Sequence, residues 1–185
     1  MTGIMGTESI KDRDYQCEQY RLGISLLKEL EYHKHCLYER THMAHAIETY
    51  NLLSKWGEGF DTCLAGLLHS VYSEESGYGN GVANINQLKG YGINSNAVEL
   101  VGIYEYIQKL PSSHERFFEL ENKKQFQMAS ILIADMTDQI DWCYIKNDIA
   151  PKEDIINFYK CREYALRYCS REALKYISKM MDAII

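Results

Sequence analysis

The sequence predicts an all-α fold, a single helical bundle of about seven or eight helices, and three observations predict it. Only two prolines, Pro111 and Pro151, punctuate the 185 residues, so long windows are free of the residue that breaks helices. Within those windows apolar side chains recur at intervals of three and four, the period of a helix face, and not of two. The content of 46% apolar and 25% charged residues is that of a folded globular chain. The length suits one domain spanning 1–185, with its core over 20–145 and C-terminal helices over 151–184.

Each element follows from local signals. Tyr20 to about Cys36 reads as a first helix, with Leu22, Leu26, Leu27 and Leu30 as its buried stripe. Thr41 is placed to cap a second helix running to Trp56: Ala44, Ile47, Tyr50 and Leu53 repeat along one face, and Lys55-Trp56-Gly57 supplies a stop. Asp61 is placed to cap a third, from Thr62 to about Tyr72. SEESGYGNG, Ser73 to Gly81, reads as a loop. It has no flanking strand and lacks the Lys-Ser/Thr of a phosphate-binding loop. After a more polar helical region, Asn94 or Ser95 starts a helix through Leu110 that Pro111 stops. Another spans roughly Lys123 to Asp141, with Phe126, Ala129, Ile133, Met136 and Ile140 on one face, and Pro151 suits the first turn of the C-terminal helices.

Charge and composition exclude several functions. With 20 Lys and Arg against 26 Asp and Glu, net −6, the chain lacks the excess of cations that binding a nucleic-acid polymer or an anionic membrane requires. No run approaches the roughly 20 apolar residues of a membrane span. The opening MTGIMGTESIKDRDYQ has no apolar signal-peptide core, so a cytoplasmic location is expected. The partners left open are a small molecule and further copies of the chain in a homo-oligomer. Six cysteines are scattered without a C-x-x-C pair, most of them in apolar runs, and read as reduced core thiols.

Chemical interest concentrates where ionisable groups interrupt apolar helices. CLAGLLHSVY embeds His69 in a helix apolar nearly all round, and FQMASILIADMTDQID does the same for Asp135. A buried carboxylate needs a partner, so a metal or an arginine is expected beside Asp135, with a tyrosine or a helix end as the alternative. In THMAH, His42 and His45 stand three apart, on adjacent positions of one helical face, where imidazoles can converge on an ion. His45, His69 and Asp135 then bring one ligand type from each of three helices. Asp138 lies on nearly the same side as Asp135 and suits holding either a water beside the ion or a metal-bound histidine. Arg40, five residues before His45, is expected either to bind a phosphate or to neutralise Asp135.

These residues also carry a resemblance. RTHMAHAIETYNLLSKWGEGFDTCLAGLLHSVY, Arg40 to Tyr72, resembles the opening of an HD-domain metal hydrolase. It is similar in particular to the hydrolase domain of the RelA/SpoT stringent-response proteins, where a His precedes an A-A-L-L-H-D helix by the interval separating His45 from His69. ILIADMTDQID resembles that family's K-L-A-D helix, whose Asp would correspond to Asp135. Together these segments cover about Arg40 to Asp141, more than half of the chain. The resemblance implies an HD-like bundle holding one divalent ion, manganese, zinc or iron, on His45, His69 and Asp135. It also implies hydrolysis or binding of a small phosphorylated metabolite or nucleotide.

The sequence departs from the family at the doublet that names it: Ser70 stands where the Asp would be. A neutral hydroxyl is a poorer donor to a hard ion, which weakens the site, and His42 is the candidate replacement. Ser70 then faces the substrate side with Arg40. Glu74 and Glu75 stand near the family's acidic pair and would handle the attacking water, and Gln139 replaces an Asn in the nucleotide region. LLHSVY with Trp56-Gly57 upstream also resembles a group of bacterial HD-like domains in which Ser occupies the Asp position. Two alternatives accompany the hydrolase reading. One is a catalytically silent ligand-sensing or partner-binding module, expected to pair Arg40 with Asp135. The other is an HD-type di-iron oxygenase, which would need further histidines, of which His33, His35 and His114 remain.

Overall fold

The computed structural model describes residues 10–37, 39–72, 83–108, 120–142 and 167–184. Among these there are seven helices: α1 (Ile10–Glu29), α2 (His42–Lys55), α3 (Phe60–Leu68), α4 (Ile85–Gly90), α5 (Ser95–Gln108), α6 (Asn122–Ile140) and α7 (Arg171–Ile184). A pair of two-residue antiparallel strands, β1 (Cys36–Leu37) and β2 (Arg40–Thr41), leads into α2, with Cys36 opposite Thr41 and Leu37 opposite Arg40. The fold is all-α, as the spacing predicts. Among the described residues no helix is long and apolar enough to cross a membrane.

The helix ends decide where the site residues fall. Thr41 is extended, and its side chain accepts from the Ala44 N–H at 3.1 Å, so α2 begins where the sequence places it. Gly57, at φ 78°, ends α2 with a pair of backbone bonds, Gly57 N to Ser54 O and Glu58 N to Leu53 O. The same motif ends α1 seven residues before the expected Cys36. Glu31 takes φ 60°, while Glu31 N donates to Lys28 O and Tyr32 N to Leu27 O. A left-handed glutamate carries no glycine signal, which is why the sequence hides this stop. The cap of α3 is Gly59 and not Asp61, which sits in the first turn and accepts from Asn96 Nδ2. The helix ends at Leu68, so His69 stands at its C-terminus and not in its interior. Asn94 closes the start of α5, accepting from Asn96 N at 2.8 Å.

The core lies where α2, α3, α5 and α6 pack on one another, and Leu52, Leu53, Leu64, Leu67, Leu68 and Leu100 are buried there. Every residue from Thr62 to Leu68 is buried, as expected for a helix apolar on all sides. Gly66 permits the closest approach: a Cβ there would collide with Leu53 Cδ1 and touch Thr49 Cγ2 at 3.4 Å. Helix α6 is buried on most of its circumference, but Phe126, expected inside, is 48% exposed and lies against Tyr168. α7 seats Ala173, Ile177 and Met180 in the core, and its Tyr176 ring meets Trp56. Of the described cysteines, Cys17, Cys36, Cys63 and Cys169 are all free thiols; Cys63 is buried but Cys17 and Cys36 are exposed, against the expectation of core positions. The Ser73–Gly81 loop, both prolines, Glu74, Glu75 and His114 lie outside the described residues.

Candidate metal centre

Three helices converge on one buried point. With α2 capped at Thr41, His45 falls one turn into the helix, on the side packed against α6. His69, just past the end of α3, turns back so that Nδ1 lies 2.7 Å from Gly66 O. A carbonyl can only accept, so Nδ1 carries the proton and Nε2 presents its lone pair to the interior. Asp135 projects from the middle of α6. His45, His69 and Asp135 are all buried.

The donor atoms are close. His45 Nε2 lies 3.3 Å from His69 Nε2 and 3.0 Å from Asp135 Oδ1, and His69 Nε2 lies 3.6 Å from the same oxygen. Ligands about 2.1 Å from one ion stand about 3.0 Å apart at right angles and about 3.4 Å apart in a tetrahedron. The three spacings therefore suit a shared ion, and His45, His69 and Asp135 form a group that can hold one.

Each donor is held from behind. His45 Nδ1 lies 2.6 Å from Asp138 Oδ2, so its N–H points to that carboxylate and Nε2 faces inward. Asp135 Oδ2 accepts from the Tyr104 hydroxyl at 2.5 Å, and its Oδ1 accepts from Gln139 Nε2 at 2.8 Å. Tyr104 thus occupies one oxygen and leaves the other turned toward the imidazoles. Among 15 tyrosines nothing in the sequence singles out Tyr104. Gln139, four residues after Asp135, was legible as a helix-face neighbour.

Electrostatics follow from these contacts. Burial opposes a charge on His45, but the hydrogen bonds and charges of Asp135 and Asp138 outweigh it and raise its pKa to about 9. His69 is shifted down, chiefly by burial, with Asp135 pulling the other way. Burial also works against the Asp135 carboxylate, yet the two imidazoles and the Tyr104 hydroxyl hold it well below the usual carboxylate range.

Similarity to known proteins covers part of this site. A family model described as "Domain of unknown function (DUF6817)" matches residues 26–104. No curated protein and no solved structure matches the chain. The matched span includes Arg40, His45, His69, Ser70 and Tyr104 and stops before α6.

Three residues meet partners other than those expected. Arg40 does not pair with Asp135: its Nη1 donates to both oxygens of Asp138 at 2.7 Å, its Nη2 to Ala44 O at 2.8 Å, and its guanidinium lies 5.1 Å from the Trp142 ring. That fork is committed to the protein and not to a phosphate. His42 is not in the convergent group. Its ring lies edge-on to Tyr32, and burial foremost, with His45 next, lowers its pKa to about 4. Ser70 is engaged with Tyr32, whose OH donates to its carbonyl at 2.8 Å, and its own hydroxyl donates to Tyr32 at 3.5 Å. The alternative partner of Asp135, a tyrosine, is present as Tyr104, and of the two options for Asp138 the contact with a histidine is the one seen.

Proposed function

We propose that the chain is a metal-dependent phosphohydrolase of HD type, acting on a small phosphorylated metabolite or nucleotide. The observation that supports it is the meeting of His45 Nε2, His69 Nε2 and Asp135 Oδ1 at ligand spacings inside the bundle. A divalent ion bound there supplies Lewis-acid polarisation of a phosphoryl oxygen and acidifies a water. The chain's own part is orientation. Asp138 and Gly66 fix the two imidazoles by their Nδ1 protons, and Tyr104 and Gln139 fix the carboxylate. Ser70 adds no carboxylate to these three donors, so water and substrate would complete the coordination. In this reading Glu74 or Glu75 takes the proton of the attacking water.

The test is metal analysis of the purified chain combined with phosphate release from a panel of nucleoside mono-, di- and triphosphates. One equivalent of manganese or zinc is expected, lost in His69→Ala. Metal content unchanged in that variant removes the ligand assignment, and absence of phosphate release from every substrate removes the hydrolase. A second reading, a catalytically silent ligand-binding module, is favoured by one observation. Arg40 with Asp138 and protonated His45 with Asp135 balance their charges without an ion. It expects no retained metal. Two equivalents of iron would instead indicate an oxygenase.

A further inference from the structure

We infer that Arg40 is a positioning residue of this centre, acting on His45 through Asp138. The inference rests on reading His45, His69 and Asp135 as the ligand set. An imidazole can bind an ion through either nitrogen and in either ring orientation, and only one choice turns Nε2 toward Asp135 Oδ1. The Nδ1 to Asp138 contact of 2.6 Å makes that choice. Asp138 can enforce it only if its own carboxylate plane is fixed. A lone hydrogen bond to one oxygen leaves the group free to rotate about its last torsion.

Arg40 removes that freedom. Nη1 reaches both Asp138 oxygens at 2.7 Å, while Nη2 is anchored on Ala44 O, the residue before His45 in the chain. The guanidinium is held in turn over Trp142, just past the end of α6. One side chain therefore references the carboxylate on α6 to the turn of α2 that carries His45. The same two helices supply His45 Nε2 and Asp135 Oδ1, whose 3.0 Å separation a shared ion requires. Arg40 also offsets the charge of Asp138, which is 3% exposed and three residues from Asp135. Without that cation, the second carboxylate is free to turn toward His45 or away from it.

A plain structural salt bridge would hold α2 to α6 but would leave the ring orientation indifferent to Arg40, and this separates the two roles. The full-length chain is compared with Arg40→Gln and Arg40→Lys. The first readout is the low-field imidazole N–H proton on His45 Nδ1, followed by nitrogen-edited NMR in metal-free protein. The second is manganese affinity by equilibrium dialysis. Arg40→Gln is expected to move the resonance to higher field and weaken manganese binding about 10- to 100-fold, the cost of losing support behind a ligand. Arg40→Lys keeps the charge but not the second nitrogen that anchors on Ala44 O, and should recover part of both.

A folded Arg40→Gln with an unchanged resonance and unchanged affinity, altered only in thermal midpoint, overturns the inference. Should that variant fail to fold, Arg40→Lys carries the same test, and wild-type values for both readouts overturn it equally. The resonance needs no ion, so the two readings fail separately. If wild type retains no manganese but its His45 resonance still depends on Arg40, the positioning role stands and the metal reading falls.

Discussion

At the scale of single residues, the proposed HD-type reading turns on Ser70. Its carbonyl and hydroxyl are both engaged with Tyr32, and the buried carboxylates nearby are already Asp135 and Asp138. Ser70→Asp adds a third. Without an ion, like charges oppose it, and the thermal midpoint in chelator should fall. With manganese the new donor should raise affinity by about tenfold, since hard ions favour carboxylate oxygen, and the midpoint should rise. Equal losses with and without manganese would show that position 70 does not face the ion. His69 and Asp135 were legible in the sequence because an ionisable group in an apolar run has few explanations, and His45 was legible from its spacing of three from His42. Arg40 was misassigned because its partner, Asp138, is 98 residues away, and sequence spacing cannot choose between Asp135 and Asp138, both on one side of α6.

At the scale of elements, Gly66 sets how closely α3 approaches α2. Gly66→Ala would drive a methyl group into Leu53 and Thr49, and overpacking of this kind costs about 1–3 kcal/mol. The change also bears on the site, because Gly66 O is the acceptor that orients His69. Urea unfolding should show the loss of stability, and metal analysis should show weakened retention. Full stability in Gly66→Ala would mean that the helices part without cost. Periodicity located α2, α5 and α6 well, and Thr41 and Gly57 marked both ends of α2. It missed the end of α1, where Glu31 adopts a conformation usually left to glycine. It also ran α3 through His69, because the apolar pattern continues into Val71 and Tyr72 after the helix has stopped.

At the scale of the whole molecule, the buried cluster makes stability depend on pH, to an extent that metal should alter. His45 is raised from its usual 6.5 to about 9. In metal-free protein its contribution is complete below 6.5 and is lost as pH rises through about 9. Asp135 is depressed from its usual 3.8, so its contribution is present above that value and is lost as pH falls toward its lower folded value. Urea midpoints in chelator should therefore decline from pH 6.5 to 9. Saturating manganese displaces the proton from His45 Nε2, and the decline over that interval should vanish. The same decline in both conditions would mean that the ion does not reach His45.

The imidazoles come from α2 and α3, but Asp135, Asp138 and Gln139 come from α6, beyond the stretch 26–104 by which the chain resembles other sequences. A fragment trimmed to that stretch would keep Arg40, both rings and the Tyr104 phenol, and would remove the two α6 carboxylates that these groups meet. A piece of this polypeptide that keeps the whole buried cluster is thus longer than its recognisable signature and extends at least to Gln139.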